Sequence, residues 1–397
     1  MTDQQWQQTT RAVRAGVDEE EQFGAVMPPL YLSSTFTFAG LGEAREYDYT
    51  RSGNPTRDQL SAALAELEAG AGAVITASGM AAIALTLELL PTGAAVVAPA
   101  DCYGGTYRLL QRLAAKQRLE VVFVDQTSTA AVADALTGAQ MLWIETPTNP
   151  LLRVVDIASL CQMARDAGAL SVVDNTFLSP ALQQPLLLGA DLVVHSTTKY
   201  LNGHSDVVGG AVVARAQAEL TALQEWANTL GLAGAPFDSF LTLRGLRTLQ
   251  ARLRIHEENA AAVAPVLQEH PAVRQVHYPG LPDHPQHELA RRQQRGFGGM
   301  LSFELRGGEP AVRRFLDRVQ LFSLAVSLGS VESLVCHPAS MSHAPFSAAD
   351  REAAGISDAL LRLSLGVEAQ QDLVADLTRA LDAAAGSAPP QLAGQTA

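Results

Sequence analysis

Between about residues 61 and 235 the chain repeats one alternation: a short apolar run, a turn, then a stretch with helical spacing. The runs are expected as strands at 73–77, 94–99, 120–125, 141–145, 170–174, 192–194 and 211–214. Helices are expected from 80 onward and over 107–116, 130–136 and 157–167. Because the runs are nearly continuous in apolar character, the strands must be covered on both faces. A mostly parallel sheet between two layers of helices meets that demand. Such sheets hold ligands beyond the carboxyl ends of their strands. The residues that follow each run are therefore the candidates: Ser78-Gly79-Met80, Asp101–105, 146–149, 174–176 and 196–199.

The last group is the most informative. Lys199 follows Ser196, Thr197 and Thr198 at the end of a buried run, in His195-Ser-Thr-Thr-Lys-Tyr-Leu-Asn-Gly-His204. Taken alone it also reads as a lysine snorkelling from a strand end. A desolvated lysine, however, loses its proton and can form a Schiff base, and the hydroxyls beside it can donate to an oxyanion. Asp174 ends another apolar strand with no cation near it in sequence. It either caps the next turn through Asn175 or Thr176, or pairs with a protonated ring nitrogen, since an unpaired buried charge would protonate. Ser78 can cap a helix opening at Gly79 and Met80. The free amides and dipole there suit an anion, by about 0.3–1 kcal/mol for the dipole, although an ordinary strand-to-helix turn has the same sequence. Gly70-Ala-Gly72 lacks the third glycine of a nucleotide fingerprint and precedes its strand. An amine, an acid for a ring nitrogen and a seat for a phosphate together point to pyridoxal 5'-phosphate, with Tyr103 placed in a glycine-flanked turn to stack on the ring.

Composition narrows the setting. The 397 residues are 47% hydrophobic and 17% charged, enough to bury cores without disulfide or metal staples. A net charge of -13 excludes a general nucleic-acid binder, so an anionic ligand must be held by local donors. The 3 cysteines, Cys102, Cys161 and Cys336, form no framework, which fits a reducing, cytoplasmic setting. The N-terminal stretch lacks the apolar core of a signal peptide. Residues 69–87 carry no charge, but Thr76, Ser78 and Gly79 interrupt them, so no membrane span is expected. His195, His204, His337 and His343, with Cys336, lack the spacing of a metal site, and no metal is expected.

Residues 1–60, with little periodicity and several turn signals, read as an extended arm that packs on a neighbouring subunit. Residues 61–255 read as the large domain. The segment 237–270 reads as one long helix or two joined ones, leading into a smaller α/β domain over 256–397. That domain has apolar runs at 273–278, 300–305, 321–328 and 360–365, and helical patterns at 311–319 and 372–385. The stretch 387–397 has no core-forming pattern and is expected to be disordered.

The segments DYTRSGNPTR, SGMAA, DCYGGTYR, ETPTNPLL, VVDNTFLSPALQ, HSTTKYLNGHSD, FLTLRGLRTL, SLGSVESLVCHPASMSH and LLRLSLGVE carry a further signal. Together, and in this order over about residues 24–382, they resemble the motifs of the Cys/Met-metabolism family of fold-type I pyridoxal phosphate enzymes. The resemblance implies a mostly parallel seven-stranded sheet in the large domain, a smaller C-terminal α/β domain and an N-terminal arm. It implies a catalytic set of Lys199, Tyr103 and Asp174: the cofactor's lysine, its stacking tyrosine and its ring-nitrogen partner. Ser78, Gly79, Met80, Ser196 and Thr198 would hold the phosphate, and Tyr49 and Arg51 would reach the phosphate in the neighbouring subunit. Asn149 would lie beside the ring hydroxyl and the substrate. Arg362 would clamp the substrate α-carboxylate, Arg108 would meet a distal carboxylate, and Ser327 would line the substrate side. Asp48 and Glu332 match acidic positions at the pocket mouth that vary with reaction type.

The implied activity is a transsulfuration step of methionine biosynthesis: γ-replacement joining O-succinyl-L-homoserine and L-cysteine into L-cystathionine and succinate. Cleavage of L-cystathionine to cysteine, 2-oxobutanoate and ammonia is the alternative, since Asp48 and Glu332 suit both. A non-catalytic pyridoxal phosphate protein is a remote third, which would not need Arg108 and Arg362. The implied assembly is a homotetramer, a dimer of dimers with shared active sites.

Overall fold

The computed structural model describes residues 6–17, 20–344 and 346–386; the stretch 387–397, expected to lack order, lies outside them. Seven strands, β1 (Gly72–Thr76), β2 (Ala94–Pro99), β3 (Leu119–Val124), β4 (Met141–Glu145), β5 (Leu170–Asp174), β6 (Leu192–His195) and β7 (Gly210–Ala214), form one sheet. Their order is β1-β7-β6-β5-β4-β2-β3. Pairings among β2 to β6 are parallel, and β7 runs antiparallel to both β6 and β1.

Side-chain alternation explains the continuous apolar runs. Leu142, Ile144, Val173 and Val193 point into one buried cluster, while Met141, Trp143, Val172 and Val194 point into another on the opposite face. Each strand thus feeds two cores at once. Glu145 and Asp174 continue the face of Trp143 and Val172 at the carboxyl ends of neighbouring strands, and they are direct register partners.

A second sheet holds β8 (Val273–His277), β9 (Met300–Leu305), β10 (Ser323–Leu324), β11 (Leu334–Cys336) and β12 (Leu360–Ser364), in the order β10-β11-β12-β9-β8. It packs with the helices Leu249–Glu269, Gly308–Leu316 and Gln370–Ala384 around its own buried cluster. Among the described residues no helix is long and apolar enough to cross a membrane.

Several expectations need correction. Within the region expected as an extended arm, Asn54 and Pro55 start the helix Pro55–Glu68. Asn54 Oδ1 accepts from the backbone N–H of Thr56 at 3.0 Å, and proline occupies the first turn, where its missing N–H costs nothing. A further helix, Gln8–Arg14, lies in the same supposedly extended region. Of the two readings of 237–270, the structure bears out two joined helices, Pro236–Leu246 and Leu249–Glu269. Of the run 321–328, only Ser323–Leu324 pairs as a strand. Val326, Ser327 and Leu328 instead form a wall of a cavity, and Ser327 adopts a left-handed φ of 88°.

Candidate active site

A cavity of about 530 Å³ opens beyond the carboxyl ends of β1, β4, β5 and β6. Ser78, Gly79 and Met80 reach it from the start of the helix Gly79–Leu87, and Tyr103 and Arg108 from the helix Gly104–Ala115 and its cap. Asn149 comes from the loop after β4 and Asp174 from the end of β5. Ser196, Thr198 and Lys199 come from the turn after β6, and Ser327 and Arg362 arrive from the second sheet. Residues far apart in sequence thus converge because parallel strands end together.

Lys199 Nζ donates to Ser327 Oγ at 2.7 Å. Burial, followed by the nearby Arg362 charge, depresses its pKa from 10.5 to about 8. Asp174 accepts from the Thr176 N–H at 3.0 Å, the turn-capping bond that the sequence offered as one reading, and still faces the cavity. Burial raises its pKa, opposed by the Thr176 bonds and by His195. Arg362 is 3% exposed. Its Nη1 donates to Asn149 Oδ1 at 2.7 Å and its Nη2 to the Ser327 carbonyl at 2.9 Å, whereas its Nε is buried without a partner. A buried guanidinium with an open donor is a ready seat for a carboxylate.

Ser78 caps its helix through the Ala81 N–H at 3.1 Å. A Cβ at position 79 would stand 2.9 Å from Ser196 Cβ, so glycine is needed for the turn after β6 to approach this first helical turn. Of the three hydroxyls before Lys199, Ser196 and Thr198 line the cavity and Thr197 does not. Thr198 Oγ1 accepts from the Gly209 N–H at 3.0 Å.

Among the cavity residues that escaped the sequence reading, Glu145 has the clearest role. Glu145, 5% exposed, accepts from the backbone N–H of Tyr103 at 2.8 Å and of Asn149 at 3.2 Å. It thereby fixes two other cavity residues. Burial, then the Asp174 charge, drives its pKa well up. Its signal was the same as that of Asp174, an acid closing an apolar strand.

Four expected residues lie elsewhere on this chain. Tyr49 is exposed, with the Arg51 guanidinium 5.7 Å from its ring centre. Arg51 Nη1 donates to Asn228 Oδ1 and to the Asn228 carbonyl, both at 2.7 Å. Asp48 Oδ1 accepts from the Tyr49 N–H at 2.6 Å, and Glu332 accepts from the Ser205 hydroxyl. His195, which begins the motif around Lys199, faces away from the cavity and meets the buried Glu68 at 2.7 Å.

The lining suits pyridoxal phosphate feature by feature. A phosphate could rest on the open amides at Ser78–Met80. An aldehyde needs a neutral amine, which Lys199 offers, and a ring nitrogen needs an acid, which Asp174 offers. Tyr103, 39% exposed, presents a ring to the same space. Fold and cavity thus define a class, the pyridoxal-phosphate-dependent enzymes built on a mostly parallel sheet.

Comparison with known proteins narrows the class. The family model described as "Cys/Met metabolism PLP-dependent enzyme" matches residues 9–382, and the chain belongs to that family. The chain is 55% identical to the cystathionine γ-synthase of Escherichia coli (strain K12), over 95% of its own length and 98% of that protein. Cystathionine γ-synthase from Xanthomonas oryzae pv. oryzae, solved in complex with cystathionine, superposes with a TM-score of 0.95. The two share 58% identity, over 96% of this chain and 100% of that one. A cystathionine γ-lyase from Lactobacillus plantarum, complexed with L-serine, gives a TM-score of 0.93 at 41% identity, covering 96% of this chain and 100% of that one. Pyridoxal phosphate is the family's cofactor, and amino acids are its substrates.

Proposed function

We propose that the protein joins O-succinyl-L-homoserine to L-cysteine by γ-replacement, releasing succinate and L-cystathionine. The observation that carries this reading is the likeness, along nearly the whole chain, to the γ-synthases of Escherichia coli and Xanthomonas oryzae, the latter with cystathionine bound. The likeness to γ-lyases is lower, at 41 to 46% identity.

The cofactor, when bound, supplies an electron sink that makes protons at the substrate's Cα and Cβ removable. In our reading Lys199 is the base. Its amine, its pKa lowered by burial, would take the proton from Cα, pass it to the carbon of the cofactor that serves as the electron sink, and, neutral again, take one from Cβ. Asp174 gives the ring nitrogen its counter-charge, and Tyr103 stacks on the ring. Ser78, Gly79 and Met80, with Ser196 and Thr198, seat the phosphate. Arg362 clamps the α-carboxylate through its open Nε, while Asn149 and Ser327 keep the guanidinium aimed. Arg108 receives the succinyl carboxylate. Asp48 and Glu332, which do not line the cavity of a single chain, would act at the pocket mouth only in the assembled subunits.

Tyr49 and Arg51 act, in this reading, on a neighbouring subunit's cofactor within a homotetramer made of two dimers. The exposed Phe23, Val26, Leu32, Phe38 and Leu41 of the same N-terminal region support an extensive subunit contact. All three cysteines are free and buried, which supports a cytoplasmic setting.

The test supplies purified holoenzyme with O-succinyl-L-homoserine, with and without L-cysteine, and with L-cystathionine alone. L-Cystathionine is expected only when both substrates are present, with one succinate released for each L-cystathionine formed. Faster release of 2-oxobutanoate and ammonia from L-cystathionine, with none formed from the pair, would assign the chain to cleavage instead.

A further inference from the structure

A second cavity of about 520 Å³ opens between the parts of the molecule built on the two sheets, and it shares no lining residue with the first. One wall, from the turn after β3 and the loop after β4, carries Asp125 and Arg153. The other, from β8 and the segment after it, carries Arg274 and Asp283. Each wall thus carries one arginine and one aspartate; on the second, Arg274 lies 3.7 Å from Glu304, Asp283 accepts from Gln268 Nε2 at 2.7 Å, and His277 also lines the space, 3.9 Å from Glu304. Gln268 and His284 add neutral polar groups. Burial drives the His284 pKa down to about 4, and its Nδ1 accepts from the Gln286 N–H at 3.2 Å, so the ring is uncharged near neutrality.

That pattern selects a ligand. A net anion would meet two aspartates and a net cation two arginines, while a solute carrying one charge of each sign satisfies both walls. The volume admits a small molecule.

The cleft is also wired to the catalytic cavity. The Arg153 side chain is 32% exposed, and its Nη1 reaches the nearly buried Asp101 Oδ2 at 3.3 Å. Thr148 Oγ1 donates to the same oxygen at 2.9 Å, and the Thr148 N–H donates to the Arg153 carbonyl at 3.0 Å. Asn149 follows directly and orients Arg362. One short loop, 146–153, therefore places Arg153 in the second cavity and Asn149 in the first.

We propose that this cleft is a regulatory site for a free zwitterionic α-amino acid. Its carboxylate is taken by Arg153 and its ammonium by Asp283 on the opposite wall, and its occupancy is felt at Asn149 and Arg362. A carboxylate that draws Arg153 from Asp101 shifts the Thr148–Asn149 backbone, and with it the amide that aims the substrate clamp.

The experiment titrates the holoenzyme calorimetrically with L-glutamine, whose amide matches that of Gln268. Saturable binding is expected without change in the cofactor's visible absorption, together with a shift of about fivefold in KM for the homoserine ester. N-acetyl-L-glutamine and L-glutamine amide, each missing one charge, should bind about tenfold more weakly or worse. Arg274 and Asp283 are exposed and outside the catalytic cavity. Asp283→Asn should therefore keep basal turnover while losing about tenfold in glutamine affinity, along with the KM shift, whereas Arg274→Gln, which removes a cation that faces Glu304 at 3.7 Å, should leave both unchanged. Binding untouched by Asp283→Asn, binding that changes the absorption, or no saturable heat up to about 10 mM overturns the proposal.

Discussion

Lys199 shows how one side chain can be tuned by its surroundings alone. Burial beneath the turn after β6, with Arg362 nearby, takes its pKa to about 8. At pH 7 about one amine in ten is then neutral, against about one in three thousand for a lysine near 10.5. Since only the neutral amine attacks an aldehyde, covalent uptake of pyridoxal phosphate by the apoenzyme should speed up as pH rises and level off above about pH 8. Stopped-flow absorbance across pH 6 to 10 reads this directly. A rate still climbing steeply at the alkaline end would show that the amine is not depressed. Position along a strand made Lys199 and Asp174 legible in the sequence, because a charged group closing an apolar run needs a reason. Glu145 carries the same mark, yet its role depends on backbone amides of Tyr103 and Asn149, and only folding brings those within reach.

Among the elements, the helix Gly79–Leu87 matters for its beginning rather than its body. Its Ser78 cap, bonded at 3.1 Å, frames the amides that face the cavity. Ser128 caps the helix Thr129–Ala135 in the same way at 3.3 Å, but away from the cavity. Ser78→Ala and Ser128→Ala should each lower apoenzyme stability by about 1 kcal/mol, measured by denaturant unfolding. Only Ser78→Ala should also weaken cofactor retention, by about fivefold, as the frayed first turn loses its aligned dipoles. Equal retention in the two variants would remove this helix start from the phosphate seat. Elements with a continuous apolar run or clear helical spacing could be read before folding. The helix Pro55–Glu68 could not, because Asn54 and Pro55 serve a helix start as well as a turn. Nor could the wall 326–328, where an apolar run is recruited to line a cavity rather than to extend a strand.

Across the whole molecule, the catalytic cavity of a single chain offers few cations to a phosphate. Its lining cations are Arg108, Lys199 and Arg362, and the latter two are bonded to Ser327 on the side of the second sheet. A phosphate dianion at the helix Gly79–Leu87 would face only a dipole of about half a charge. Arg51, meanwhile, lies on an exposed surface, bonded to Asn228, beside a run of uncovered apolar residues. Both facts are resolved if the Arg51 of one subunit completes the phosphate seat of another. Arg51→Ala leaves a chain with an intact Lys199, and Lys199→Ala leaves one with an intact Arg51. Each alone should be nearly inactive. After unfolding together and refolding at equal concentration, random pairing makes about half of the dimers hybrids, each with one of two sites whole, so about a quarter of the native activity should return. Subunits carrying different affinity tags allow the hybrids to be isolated and assayed by themselves. Verified hybrids with no more activity than their parents would place Arg51 outside the neighbour's site.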